Sequence, residues 1–174
     1  WVYLHITDRD ISYVWYNTPT RKDGAVIAVG TVGIFVLFVI TNLIAGFVSA
    51  PRQTGEVASL LSSNTDLVYP FILIVVFLNA PIEELIFRGV IQTRLDESFS
   101  TIAAIFITST IFSSIHIGNY SGATEPLALL IPLFIIFSLS LILCASYEYS
   151  KNVVVPIAIH AVFNITQALS FLLM

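Results

Sequence analysis

The sequence predicts an all-α fold, a polytopic bundle of transmembrane helices with about five spans. The first observation is composition: 57% of the 174 residues are apolar and only 10% are charged, whereas about 25% charge is usual in a water-soluble domain. The second is a mean hydropathy of +0.92. The third is that charges divide the chain into five apolar blocks. Each block is long enough to cross the hydrocarbon core, which takes about 20 residues as a helix.

The elements follow from these blocks in order. Residues 1–23 mix polar, charged and aromatic side chains and are predicted to be an interfacial lead-in, whereas residues 24–174 form the membrane-embedded domain. Polar turns separate the spans. No block alternates with period two, and open sheet edges are not tolerated in lipid, so we expect no transmembrane strands. The predicted spans are about 25–50, 67–95, 99–117, 126–147 and 152–173.

Composition and motifs exclude several classes of function. A net charge of -4 lacks the basic face that a nucleic-acid binder needs. The single cysteine, Cys144, allows neither an internal disulfide nor a CxxC metal clip. There is no HExxH zinc motif, no aspartate lies within a predicted span, and the only serine resembling a nucleophile sits in GxxSG rather than GxSG.

The second span carries three charges that lipid normally expels: Glu83, Glu84 and Arg88. Each costs about 2.5 to 3.5 kcal/mol on insertion scales. Glu84 and Arg88 are four residues apart and can pair on one helix face. Glu83 is rotated by about 100° and has no ionic partner within its helix. We therefore interpret Glu84 and Arg88 as a structural pair, and Glu83 as the free functional carboxylate beside a kink at Pro81.

Two further pairs lie on single helix faces in later spans, Phe112 with His116 and His160 with Asn164. Phe112 is predicted to wall a site at which a carboxylate and an imidazole deprotonate water. An amide and a second imidazole can stabilise an oxyanion. Such a set could hydrolyse a peptide bond without a serine or cysteine nucleophile. Purely structural hydrogen bonding of the histidines and of Asn164 remains the alternative interpretation.

The polar residues resemble the signature of a known family. In chain order the motifs are Glu83-Glu84-x-x-x-Arg88, Phe112-x-x-x-His116 and His160-x-x-x-Asn164. This set is similar to that of the CPBP family, the CAAX-protease and bacteriocin-processing (ABI) intramembrane proteases that include Rce1-like enzymes. Members usually have more than five spans, so the resemblance implies that this chain is a fragment of a larger bundle.

The resemblance also implies roles. Glu83 and His116 would activate water, and His160 and Asn164 would form the oxyanion hole. No cofactor is expected to be required, although Glu83, His116 and His160 could hold zinc as a His₂Glu set. The expected partners are membrane lipid and a membrane-associated or lipidated, CAAX-like peptide substrate, with no nucleic acid. A multi-pass protein of a prokaryotic cytoplasmic membrane is expected rather than one of the endoplasmic reticulum.

Two other functions remain open from the sequence. A member of the same family could act without catalysis, as a scaffold or in bacteriocin self-immunity, although such a member would be expected to lose one of the motif residues. Buried carboxylates and histidines also mark proton or ion relays. Against a relay, the polar groups cluster and do not line a path through both leaflets.

Overall fold

The fold was examined in a computed structural model that describes residues 18–48, 63–120 and 126–170. In these ranges the chain forms five helices and no strand, which confirms the all-α prediction. Residues 1–17, most of the predicted lead-in, lie outside the described part. The helices are α1 (Arg21–Val48), α2 (Val68–Ser98), α3 (Thr101–Ile115), α4 (Pro126–Ser150) and α5 (Val154–Ser170).

Helix α1 begins at Arg21, inside the predicted lead-in, because Thr20 and Asp23 cap it reciprocally. The Asp23 carboxylate accepts from the Thr20 backbone N–H at 2.7 Å, and the Thr20 hydroxyl accepts from the Asp23 N–H at 3.3 Å. This is the capping-box arrangement, in which each side chain satisfies a backbone donor that the first turn leaves free. The cap extends the helix into the charged segment that hydropathy alone assigned to the lead-in.

Helix α2 is 31 residues long and is interrupted twice by π-helical turns, at Val75–Asn79 and Leu85–Gln92. Pro81 explains the first interruption, because its ring lacks an N–H and clashes with the carbonyl four residues earlier. A wider i→i+5 turn just before the proline relieves both problems, and such turns occur frequently at functional sites. The short α-helical stretch between the two π turns, Ala80–Glu84, carries both glutamates.

In the part of the chain that the structure describes, three helical stretches are long and apolar enough to cross a membrane: Arg21–Thr41, Val68–Ser98 and Leu129–Ser150. Helices α3 and α5 are apolar but shorter. The 15 residues of α3 extend only about 22 Å at the usual rise. The five helices therefore follow the five predicted segments, while full crossing by the third and fifth remains a prediction.

The core of the described residues consists of three clusters. In the smallest, Val68 of α2 packs against Ala168 of α5, and the other two share α4. In one, Leu139 and Leu143 of α4 pack against Ile34 of α1 and Ile159 of α5. In the other, Phe87 of α2 and Phe112 of α3 pack against Ile136 of α4, with Tyr120 also buried. By contrast, many large apolar side chains of α1, α2 and α3 are exposed. An apolar exterior around a packed interior is the arrangement expected in lipid.

Among the described glycines of α1, Gly30 lies closest to α5. A Cβ added there would lie 2.5 Å from the Ile159 Cδ1 atom. Ile159 is fully buried and has little room to move. Gly30→Ala should therefore lower the free energy of unfolding by about 1 kcal/mol, since overpacking of about 1 to 3 kcal/mol outweighs the helix propensity gained.

Thermal unfolding of the purified protein in detergent micelles measures this effect. Gly24→Ala is the matched control, because nothing lies within 4 Å of a Cβ at that position. The control should be neutral or slightly stabilising. An equal Tm for the two variants would contradict the close approach of α1 and α5.

Candidate active site

The charged cluster begins at the centre of α2. Glu83 lies fifteen residues from each end of α2, about 22 Å by helical rise. Glu84 and Arg88 are completely buried, and the Arg88 Nη1 atom donates to Glu84 Oε1 at 2.8 Å. The contact predicted from their four-residue spacing is therefore present. Removing two charges from water is stabilising only if further hydrogen bonds satisfy them, and the neighbouring helices supply those bonds.

His160 of α5 lies between the two glutamates. Its Nδ1 atom is 2.7 Å from Glu84 Oε1, and its Nε2 atom is 3.8 Å from Glu83 Oε2. The Glu84 carboxylate is paired with Arg88 and can only accept when ionised, so Nδ1 carries the proton that it donates. The sequence assigned Glu84 only to Arg88. The structure adds His160 as a second partner and thereby connects the ion pair to the predicted catalytic groups.

Glu83 differs from Glu84 in having one oxygen held and one left open. The Asn79 side-chain amide donates to Glu83 Oε1 at 2.9 Å. Glu83 Oε2 is buried and accepts no hydrogen bond from the described residues, because 3.8 Å to His160 is beyond hydrogen-bond range. The glutamate side chain is 19% exposed. One carboxylate oxygen is thus oriented and the other is available to accept a proton.

His116 is the C-terminal cap of α3, with its backbone at φ -87° and ψ 0°. Its Nδ1 atom is 2.7 Å from the Phe112 carbonyl oxygen. A carbonyl can only accept, so Nδ1 is the protonated nitrogen of the neutral ring and Nε2 carries the lone pair. This tautomer leaves Nε2 as a base. The short helix ends at His116 and turns directly into the 3₁₀ segment Ile117–Tyr120.

Phe112 lies beside both histidines. Its ring centroid lies 4.7 Å from that of His116 and 6.0 Å from that of His160. The Arg88 guanidinium lies over the same ring, 4.8 Å from its centre. Phe112 is almost completely buried. One aromatic side chain therefore contacts both histidines and the arginine, and its role as a wall of the site stays a prediction.

Asn164 lies one helical turn beyond His160 on α5. Its side-chain Nδ2 donates to the Val75 carbonyl of α2 at 3.3 Å. Val75 starts the first π turn, and its carbonyl also accepts from the Ala80 backbone N–H. An amide has two N–H donors, so one remains for another acceptor. Asn164 thus borders the site through its bond to α2.

Two residues that contact this cluster were missed from the sequence. Ser140 of α4 accepts from Arg88, with the Oγ to Nη2 distance 2.8 Å. Gln92 of α2 donates to the Cys144 carbonyl of α4 at 3.1 Å. Gln92 is polar, lies four residues after Arg88 and is buried, so its position on the arginine face was an available signal. A serine in an apolar helix carries no such signal, because serine is common in membrane helices.

The metal prediction named Glu83, His116 and His160. In the described ranges, no group of three or more His, Cys, Asp or Glu residues is arranged closely enough to hold a metal ion. These residues as arranged do not fit a zinc site.

The fold and the cluster together define an integral membrane protein that buries glutamate, arginine and histidine side chains among its helices. A family model for type II CAAX prenyl endopeptidases, described as Rce1-like, matches residues 65–166. The match spans more than half of the chain and includes every motif residue named above. The protein belongs to this Rce1-like family of CAAX-type intramembrane proteases. No curated protein and no solved structure matches the chain significantly.

Proposed function

We propose that this protein is an endopeptidase that cleaves a lipidated, CAAX-like peptide within the membrane by direct attack of water. The observation that carries the proposal is the open Oε2 of Glu83, buried at the centre of α2 and facing the Nε2 atom of His160. Family membership supports a membrane-associated peptide substrate.

Glu83 is the general base in this mechanism. Asn79 fixes one carboxylate oxygen, so the other can be directed at a water molecule. The water gives its proton to Glu83 as its oxygen bonds to the substrate carbonyl carbon. His116 assists as a second base, because the tautomer set by the Phe112 carbonyl leaves Nε2 free to accept. No covalent enzyme intermediate is formed.

His160 and Asn164 stabilise the negative oxygen of the tetrahedral intermediate. Because Nδ1 of His160 donates to Glu84, Nε2 can donate to an oxyanion only if the ring carries both protons. Glu84 supplies the balancing negative charge on the Nδ1 side of the ring, since Glu83 is neutral once it has taken the proton from water. The remaining N–H of Asn164 is a second donor. Donors fixed in a water-poor site are effective at stabilising such charge.

Collapse of the intermediate completes the reaction. The carbonyl re-forms, the C–N bond breaks, and the proton taken up by Glu83 passes to the leaving amine. The two products are a peptide with a new carboxylate and a short peptide with a new amino group. Water is the only co-reactant, so the atoms balance without a cofactor.

A lipid anchor on the substrate fits the surroundings of the site. Ile82 and Ile86, on either side of the glutamates along α2, are 53% and 48% exposed. They form an exposed apolar face within two residues of the glutamates along the chain. A peptide that approached Glu83 across this face could keep a lipid group in an apolar environment. A prokaryotic cytoplasmic membrane is the location that we propose for the protein.

The test is cleavage of a farnesylated fluorescent peptide ending in a CAAX sequence by protein reconstituted in lipid vesicles. Wild-type protein should release the terminal tripeptide, and the unlipidated peptide should be cut much more slowly. His116→Ala should lower kcat by about a hundredfold, the usual range for loss of a general base or acid being about 10² to 10⁴. Mass spectrometry identifies the cleaved bond.

Ser114→Ala is the matched control, because Ser114 is exposed on the same end of α3 and bonds only its own helix. It should cleave at the wild-type rate. Full activity of His116→Ala would contradict the assisting role assigned to His116. No cleavage of either peptide by wild-type protein would instead favour the non-catalytic scaffold function.

A further inference from the structure

Helix α4 carries none of the motif residues, yet it holds the arginine of the motif in place. The Ser140 hydroxyl oxygen accepts from Arg88 Nη2 at 2.8 Å, and the Ser140 backbone carbonyl accepts from the same nitrogen at 3.3 Å. Ser140 is completely buried. Fifty-two residues separate the two side chains along the chain, so this contact exists only because α4 packs against α2.

The arginine is therefore held from both sides of its guanidinium. Nη1 donates to Glu84 and Nη2 donates to Ser140, while the Phe112 ring covers one face. Hydrogen bonds to an ionised donor are about twice as strong as neutral ones. A planar guanidinium with both terminal nitrogens engaged has little freedom to rotate.

A second bond between the same two helices fixes their register. Gln92 Nε2 donates to the Cys144 carbonyl at 3.1 Å, four residues along each helix from the Arg88 contact with Ser140. The Gln92 bond supports the packing of α4 on α2. It does not involve the Arg88 guanidinium, which Ser140 contacts directly.

We propose that Ser140 is a positioning residue for the reaction, acting through Arg88 and Glu84 on His160. The proposal rests on the function proposed above. The contacts form one continuous series: Ser140 to Arg88, Arg88 to Glu84, Glu84 Oε1 to His160 Nδ1, and His160 Nε2 toward Glu83. Arg88 and His160 share a single oxygen, Glu84 Oε1, so rotation of the guanidinium changes the hydrogen bond that sets the imidazole.

The test is Ser140→Ala in the full chain, with kcat and KM measured on the farnesylated peptide. Loss of a hydrogen bond to a charged group should lower kcat by about tenfold, with KM unchanged because Ser140 does not reach the substrate face. Ser138→Ala is the matched control, since Ser138 lies on the same helix, is exposed and bonds only the Phe134 carbonyl. The control should retain wild-type kcat.

A second readout does not depend on catalysis. In protein labelled with ¹⁵N-histidine, Ser140→Ala should shift the imidazole nitrogen signals of His160, and Ser138→Ala should not. This arm separates the two proposals: a shift in a protein that cleaves nothing would support the positioning role while the proposed function fails. An unchanged spectrum together with unchanged kcat would overturn the positioning role even if Glu83 proves essential.

A double-variant cycle shows whether Ser140 acts through Arg88. Lysine at position 88 has a single ammonium group in place of the two terminal nitrogens of arginine. It therefore cannot bond Glu84 and Ser140 with the same geometry. If Ser140 acts only through the arginine, Ser140→Ala/Arg88→Lys should be no slower than Arg88→Lys alone. Additive losses would overturn the proposal. If Ser140→Ala folds poorly, Ser140→Cys, close in volume and a weaker acceptor, provides the same comparison.

Discussion

Glu83→Gln should lower kcat for cleavage of the lipidated peptide by about a thousandfold, within the range expected for loss of a general base. Glutamine has nearly the same shape as glutamate, and its side-chain oxygen can still accept the hydrogen bond from Asn79. The substitution therefore removes the ability to take a proton from water and little else. Because substrate contacts are retained, KM should change by less than kcat. Initial rates in vesicles measure both.

The control for this substitution is Glu97→Gln near the end of α2. Glu97 pairs with Arg94 at the surface, and both side chains are about 30% exposed. Its loss should leave cleavage unchanged. If Glu83→Gln retained more than about a tenth of wild-type kcat, water activation by Glu83 would be wrong, since a general base contributes about 10² to 10⁴ in rate.

Arg88→Met should give the largest loss of stability, about 3 to 5 kcal/mol in the free energy of unfolding. The substitution leaves the Glu84 carboxylate without its cation while both positions remain completely buried. It also removes the donor to Ser140 and the cation that lies over the Phe112 ring. Chemical denaturation of the protein in mixed micelles, followed by tryptophan fluorescence or circular dichroism, measures the change.

Two further variants separate charge from packing. Glu84→Gln/Arg88→Met removes both charges, while the glutamine oxygen can still accept from His160 Nδ1. It should recover much of the stability lost in Arg88→Met, because an uncompensated buried charge costs more than an absent pair. Arg94→Met tests the exposed pair and should cost less than about 1 kcal/mol. Equal losses for Arg88→Met and Arg94→Met would contradict burial of the Glu84–Arg88 pair.

Local features of the fold were predictable because they depend on neighbours in sequence. Helix α2 extends over Val68–Ser98, close to the predicted 67–95, because the length of an apolar segment indicates the length of the membrane helix. The bond between Glu84 and Arg88 follows from spacing alone. Pro81 indicated a distortion, which the structure shows as π turns on both sides of Ala80–Glu84.

Contacts between helices could not be obtained in the same way. Helical spacing places His160 and Asn164 on one face of α5, but it gives no information about which glutamate that face meets. Seventy-six residues separate His160 from Glu84. The contact depends on how α5 packs on α2, which in turn depends on side-chain volumes such as the gap that Gly30 leaves for Ile159. The sequence did not indicate Ser140 for the same reason, because its contact with Arg88 depends on how α4 packs against α2.

The two π turns in α2 have a consequence for how the family motif is encoded. Each wide turn takes in one residue more than an ordinary turn, so it absorbs an extra residue without rotating the helix that follows. If the same residues of Val75–Asn79 wound as regular α-helix, everything beyond them would rotate by about 100°, and Glu83 would no longer face His160, although no motif residue would have changed. The orientation of the reactive groups therefore depends on the number of residues between them and on how those residues wind, as well as on their identity.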